Sequence, residues 1–325
     1  PTRRSSDLET FLLPFGLQWS IQRVKKNPRI AIINTLAVFR CSWTFHRVIH
    51  KYRPTHVHAG SPLAYSYLSL ALAFSKVPLI YRMGDCAPID SPFNLRIWKM
   101  AMRRSHHVVA NSRFVRAAAL SAGVVERKIS VIHNLAPSTT GTKVNSALQR
   151  EVDEFSIRLV YAGAISEHKG LLPLIKAVAV VEKKIKNLRL DILGGSRYDI
   201  HFREKLITLI VELGLQEKIL LHGHVGNPSV YFQQASIHLA PSIWGEPFAN
   251  VVLEAKREGV PSIIFPSGGL LEMIRHQVDG FICREKSVDA LVEALQWMLA
   301  DTVRLERMGV AAREDSDQRF GKDRF

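Results

Sequence analysis

Cysteine is nearly absent: there are three in 325 residues, Cys41, Cys86 and Cys283. They are odd in number, far apart and without metal-ligand spacing, which argues against a disulfide framework and for a reducing compartment. Long apolar runs are missing as well. The longest candidates, Phe11–Ile21 and Ser61–Phe74, are too short or too interrupted for the ~18 residues of a membrane span. The first residues lack the positive-then-apolar pattern of a signal peptide, so a cytoplasmic globular protein is expected. Pro1–Leu8 (PTRRSSDL) reads like the translation of a sequencing adapter. It is set aside as extraneous, and a fragment without its native start is expected.

Acidic residues are scarce in one half only. Residues 1–150 hold 22 Lys+Arg against 5 Asp+Glu, a net +17, whereas residues 151–325 hold 22 against 24, a net −2. A basic half beside a neutral one suggests contact with something anionic: lipid headgroups, a phosphorylated acceptor or nucleic acid. A generic solvated surface is the plainer alternative.

Hydrophobic residues make up 47% of the chain, enough to fill sizeable cores, and the length suits about two domains of roughly 100–200 residues. Apolar strands alternate with amphipathic helices, the pattern of parallel sheets covered by helices. Asn27-Pro28 is a helix start, with Asn as cap and Pro at the first helical position, and that helix should run to about Tyr52. Strands are expected at Thr55–Ala59, Pro78–Arg82, His106–Ala110 and Lys128–Ile132, with helices near Pro62–Phe74, Phe93–Arg103 and Arg113–Ala122. Ala136–Glu154 has no sustained apolar period and reads as a linker. A second unit follows, with strands at Ile157–Ala162, Leu188–Leu193, Lys218–Leu221, Ile237–Leu239, Pro261–Phe265 and Gly280–Cys283, and a last helix at Val303–Arg313. Two doubly wound domains joined this way make a cleft, with ligands at the carboxyl ends of the strands.

Two segments stand out chemically. Gly163–Gly170 (GAISEHKG) lies between the strand RLVYA and the helix LLPLIKAVAV. Free N–H groups at a helix start attract phosphate, and Lys169 adds a point charge. The order of a P-loop is absent, because Lys precedes the second Gly; alone, the segment is more often a solvated turn. Pro241–Ala255 (PSIWGEPFANVVLEA) follows an apolar strand and is expected to open a helix near Phe248, with Glu246 at its mouth and Glu254 eight residues on. Eight helical residues rise about 12 Å, which would let one carboxylate meet a sugar and the other a ribose, with a diphosphate between. On spacing alone, a capping Glu246 and an exposed Glu254 explain the segment as well.

The second segment resembles the E-x7-E motif of glycosyltransferase family 4 (group 1), retaining enzymes of GT-B fold. The resemblance covers roughly Ile157–Met298 and keeps the family's order. Val160–Gly170 is similar to its strand and G-x-x-x-x-x-K-G, LDILGG (Leu190–Gly195) to its next strand, LHGHV (Leu221–Val225) to its G-x-V turn, PSGGLLE (Pro266–Glu272) to its G-G-x-x-E loop, and Asp279–Phe281 to its D-G-F/L. In the first half RPTHVHAG (Arg53–Gly60), VPLIYRMGD (Val77–Asp85), HHVVANS (His106–Ser112) and ISVIHN (Ile129–Asn134) resemble segments of the acceptor domain. Three places depart from the family: Ala164 stands for a frequent Arg, Gly84 for a His, and Ala249 for the commoner Gly.

The resemblance implies a GT-B protein: two Rossmann-like α/β domains facing a cleft, a truncated acceptor-side domain at 9–137 and a nucleotide-sugar domain at 138–325. It implies donor contacts from Gly163, Lys169, Gly223, Val225, Glu246, Phe248, Ala249, Asn250 and Glu254, with Lys169 and Glu246 catalytic. Asp85 is an acceptor-side candidate or a turn residue. The reaction implied is sugar transfer with retention from a nucleotide diphosphate to a sugar, lipid-linked or other small acceptor, in polysaccharide or glycolipid biosynthesis. No cofactor or metal is expected. The only D-x-D, Asp315-Ser316-Asp317, is placed on the surface of the polar tail. His56, His58, His106 and His107 have no matching carboxylate cluster, Ser61 and Ser112 lack a nucleophile elbow, and Leu193–Ser196 lacks the third glycine of a dinucleotide fingerprint. The helix FNLRIWKMAMRR at Phe93–Arg104 sets four cations beside Ile97, Trp98 and Met100. It either covers a sheet or rests on the inner face of an anionic membrane. The alternatives are an epimerase-like or phosphorylase-like enzyme on the same architecture, or a basic nucleic-acid-binding module, for which no groove-reading motif is present.

Overall fold

A computed structural model describes residue 40, residues 43–136 apart from 63–64, 66–67, 70–71, 73–74 and 88–91, and residues 157–324 apart from 186 and 196–199. The Asn27-Pro28 helix start and almost all of the expected linker lie outside the described residues, although 43–52 are helical. The chain divides into two compact units, with the division after Ile132.

The first unit is built on four parallel strands in sequential order: β1 (Val57–Ala59), β2 (Leu79–Met83), β3 (His107–Ala110) and β4 (Ile129–Val131). In β2 Leu79, Tyr81 and Met83 point into the core while Arg82 faces out, the period-2 alternation of a strand. Tyr81 stacks on Tyr65 at 4.3 Å, and Trp98 and Met102 on the helix Pro92–Arg104 are buried in the same core. Ser112 caps the helix Arg113–Ser121 by accepting from the Val115 N–H at 3.1 Å, so its hydroxyl has a structural use. His106 Nδ1 accepts from the Leu79 N–H, and the His107 ring bonds Ser130. No group of three metal-ligating side chains occurs among the described residues, and no described helix is long and apolar enough to cross a membrane.

The second unit holds six parallel strands: β5 (Ile157–Ala162), β6 (Leu188–Leu193), β7 (Ile219–Gly223), β8 (Ile237–Ala240), β9 (Ser262–Ile264) and β10 (Gly280–Ile282), ordered β10-β9-β8-β5-β6-β7. The chain starts at the centre with β5, builds outward through β6 and β7, then returns to the other side of β5 as β8. β5 and β8 are therefore neighbours whose connections diverge, the switch point of a Rossmann-like sheet. β5, β6 and β8 are almost entirely buried, as expected of parallel strands covered on both faces. Leu171, Leu174, Ile175, Val178 and Val181 of the helix Leu171–Glu182 enter this core beside Leu291 and Leu295 of the helix Val288–Leu299. Each such side chain contributes about 1.5–3 kcal/mol when removed from water.

Two expectations are corrected. The last helix runs Thr302–Phe320, seven residues past Arg313, because Ala312, Asp315, Ser316 and Phe320 form a buried stripe at helical spacing. Asp315 is consequently 1% exposed rather than on the surface. A count of polar residues missed this because the charge is compensated by Lys256, Arg275 and Arg319. Of the two D-x-D carboxylates only Asp317 remains open to solvent.

His238 on β8 is fully buried, its Nδ1 2.9 Å from the Ser262 hydroxyl, while Nε2 has no partner. Burial pushes the imidazole down to about 3. A folded value below the unfolded value of about 6.5 means stability is intact above pH 6.5 and erodes as the pH falls. The loss should reach about 2 kcal/mol at pH 5. Denaturant midpoints between pH 7.5 and 5 should show this slope in the wild type and lack most of it in His238→Gln.

Candidate functional site

The loops that follow β5 and β8 leave the sheet side by side at the switch point. Their contact depends on one glycine. Gly170 has φ 73°, and a Cβ there would lie 1.9 Å from the Pro241 carbonyl oxygen. Only a residue without a side chain fits both the left-handed backbone and that approach. The Ile243 N–H then donates to the His168 carbonyl at 2.9 Å. Lys169 closes the short turn Glu167–Lys169 just before the helix Leu171–Glu182.

The result joins two residues distant in sequence. Lys169 Nζ donates to Glu246 Oε2 at 2.6 Å, and the Ser242 hydroxyl donates to the same oxygen at 2.9 Å. The side chains are 23% and 15% exposed, so the pair is sheltered yet open on one side. A third loop supports it from below. The Gly269 N–H donates to the Glu246 carbonyl at 2.7 Å, and Gly268 (φ 58°) lies so close that a Cβ would stand 2.4 Å from that oxygen. Ser267 holds the Trp244 carbonyl. Beneath the pair, the Tyr161 hydroxyl donates to the Ala164 carbonyl at 2.8 Å; burial, and then the Glu246 charge, push its pKa up. Burial, then Lys169, pulls His168 below the ordinary histidine range, with Glu246 opposing.

The helix after this loop is Asn250–Arg257, with Ala249 as its cap. Glu246 is thus in the loop rather than at the helix mouth, and the 12 Å helical rise between the two glutamates does not apply, because 246–249 are not helical. Pro247 disfavours helical backbone at Glu246 itself. Ala249 supplies no side-chain cap, which leaves first-turn N–H groups for water or an anion. Asn250 Oδ1 accepts from Asn134 Nδ2 at 2.7 Å, and Phe248 stacks on His133 at 5.3 Å and meets Phe320. Glu254 lies one turn into the helix, half-buried, and burial raises its carboxyl above the usual range.

Gly163, Gly223 and Val225 lie at neighbouring strand ends. The Gly163 N–H donates to the Leu193 carbonyl at 2.9 Å and the Gly194 N–H to the Gly223 carbonyl at 2.7 Å. β7 runs to Gly223, two residues beyond the expected Leu221. Val225 packs in one cluster with Ala162, Leu193 and Val251. The second unit therefore gathers the expected donor residues around the ends of β5, β7 and β8. Asp85 belongs to the first unit, exposed at the bend after β2. Sequence reasoning overlooked Ser242 and Tyr161. Ser242 had a signal, standing just past a strand end and four residues before Glu246; Tyr161 looked like any strand aromatic.

Two parallel α/β units, the second a Rossmann-like sheet with paired loops at its switch point, define the class as α/β, and likeness to solved glycosyltransferases gives its GT-B fold. The chain belongs to the glycosyl transferases group 1, whose family model matches residues 148–315; residues 12–136 match glycosyltransferase family 4. An uncharacterized glycosyltransferase of Methanocaldococcus jannaschii is 27% identical over 183 residues, 56% of this chain and 45% of that protein. The capsular polysaccharide biosynthesis glycosyltransferase CapM of Staphylococcus aureus is 22% identical over 292 residues, 84% of this chain and 74% of that one. The crystal structure of Anabaena HepE in complex with UDP and glucose aligns at a TM-score of 0.77 and 22% identity, over 87% of this chain and 77% of that one. The chain spans about half the length of the first curated relatives it matches.

Gly170→Ala should cost on the order of 3 kcal/mol, from left-handed strain together with a backbone clash. Urea unfolding measures it, and a loss below about 0.5 kcal/mol would show that the two loops can separate freely.

Proposed function

We propose that this chain is a retaining glycosyltransferase that passes a sugar from a nucleotide diphosphate to an acceptor. The observation that carries the reading is the 2.6 Å contact of Lys169 with Glu246, set between two helix N-termini at the switch point. A diphosphate arriving there would take over the Lys169 ammonium, and the amides at Phe248–Asn250 would receive its remaining charge. Stabilising charge that grows on a leaving diphosphate is often worth several kcal/mol. Glu246, released from the lysine, would accept hydrogen bonds from sugar hydroxyls and orient the ring, and Glu254 would hold the ribose hydroxyls. The acceptor oxygen attacks the anomeric carbon from the face the diphosphate leaves; the C–O bond to phosphate breaks, and the acceptor's proton passes to the departing phosphate oxygen. Configuration is retained without an enzymic nucleophile, and this course needs no metal. Asp85 is the acceptor-side candidate. The UDP and glucose in the Anabaena HepE structure and the capsular polysaccharide biosynthesis of the Staphylococcus aureus relative support a nucleotide-sugar donor and polysaccharide assembly.

Thermal shifts of the full chain with a panel of UDP-, GDP- and ADP-sugars test this. At least one should raise Tm, as about 2.7 kcal/mol of stabilisation at a hundredfold excess over Kd requires. Lys169→Ala and Glu254→Ala should abolish the shift while remaining folded. A folded wild type that responds to none of the donors rejects the reading, and product formed without any acceptor would point to an epimerase instead.

A second reading concerns the basic first half. Leu95, Arg96, Lys99, Met100 and Arg103 line one groove of about 510 Å³ along the helix Pro92–Arg104. Trp98 is turned into the core, so it is not part of any membrane face. Three cations flanking exposed Met100 suit an anionic bilayer, each adding about 1 kcal/mol near such a surface. Arg96→Ser/Lys99→Ser/Arg103→Ser should reduce co-sedimentation with phosphatidylserine vesicles by on the order of a hundredfold. Equal binding to neutral and anionic vesicles would reject peripheral attachment through this helix.

A further inference from the structure

Lys256 is fully buried at the back of the helix that carries Glu254. Its Nζ donates to the Met273 carbonyl at 2.7 Å, bonds the Asp315 carboxylate and lies 3.3 Å from Asp279. The same carboxylates are shared: Arg275 reaches Asp279 at 2.6 Å, and Arg319 reaches Asp315 at 2.8 Å. Arg319 also donates to the Glu272 carbonyl at 3.1 Å. Three cations and two buried carboxylates thus join the helix Asn250–Arg257, the segment from Glu272 to Asp279 and the helix Thr302–Phe320.

The position of this cluster bears on both glutamates of the site. Residues two apart on a helix are turned by about 200°, so anchoring Lys256 inward directs Glu254 to the opposite side. The Met273 carbonyl held by Lys256 ends the turn Gly268–Glu272, in which the Met273 N–H donates to Leu270 and the Gly269 N–H to the Glu246 carbonyl. One buried ammonium is therefore connected to Glu254 through its own helix and to Glu246 through a single short turn. Burial pulls Lys256 below the ordinary lysine range, with Asp279 and Asp315 opposing. Burial would raise Asp315, but Arg319 and Lys256 hold it below the usual carboxylate range. Each charge in the cluster has an opposite partner, and an uncompensated member would be strongly unfavourable.

We infer that Lys256 is a positioning residue of the nucleotide-sugar site, setting the depth of Glu254 and the height of the turn beneath Glu246 at once. This rests on the donor site proposed above. A residue serving stability alone would lower Tm without altering affinity in the folded protein, whereas a positioning residue changes both.

The test uses the full chain, circular dichroism to confirm folding, and calorimetric titration with UDP and GDP. Wild type must bind one of them; if it binds neither, it is the donor-site reading that fails. Lys256→Met should weaken Kd for that nucleotide at least about tenfold, and Asp315→Asn about threefold. Leu206→Ala, a core change on the far flank of the sheet, should lower Tm comparably and bind as wild type does. In the Lys256→Met background, Glu254→Ala should lose most of its own effect, because both changes remove one contact. Affinity within about twofold of wild type in folded Lys256→Met, with Tm reduced, overturns the inference. Should that variant not fold, unchanged affinity in Asp315→Asn overturns it on its own.

Discussion

The contact between the Gly170 and Pro241 backbones is the constraint on which the candidate site depends. Parallel strands β5 and β8 bring two loops to the same edge of the sheet, yet adjacency alone would leave a gap of side-chain width. A missing Cβ closes that gap and lets Lys169 reach Glu246. Ser242 and Gly269 then hold Glu246 from the side chain and the backbone respectively. The lysine is thereby held against a carboxylate. The pair's partial burial makes it worth more than a contact in open water.

Polar groups inside the second unit divide by whether they are compensated. His238 sits at the centre of the sheet, neutral, with one nitrogen bonded and the other bare. Lys256, by contrast, is surrounded by two carboxylates and a carbonyl. The first arrangement makes the fold sensitive to acid. The second ties together three segments with directional contacts, whereas apolar contacts are less directional and permit sliding.

Fold and family are established on different grounds from activity. Strand order and the structural likeness give the GT-B architecture, and the match over residues 148–315 gives the family. The chemistry rests on the gathered side chains. Among them Glu254 is a half-buried acid, and burial raises its carboxyl above the usual range.

What the sequence by itself determined was mostly local. Apolar-rich segments, broken only by Arg158 in β5 and by Arg189 and Asp191 in β6, located these strands at their observed limits, Ile157–Ala162 and Leu188–Leu193, because strands buried on both faces are mostly apolar. The order of motifs told the family and which residues to inspect. Helix limits were less legible, since Glu246 and Asp315 carry the same charge in a loop, at a cap or in a core, and only their neighbours decide among these. Tertiary structure alone placed Lys169 on Glu246, 77 residues away, and recruited Asp315 to Lys256, 59 residues away. Both contacts follow from which strands and helices lie side by side, and that adjacency is a property of the packed sheet that no local periodicity encodes.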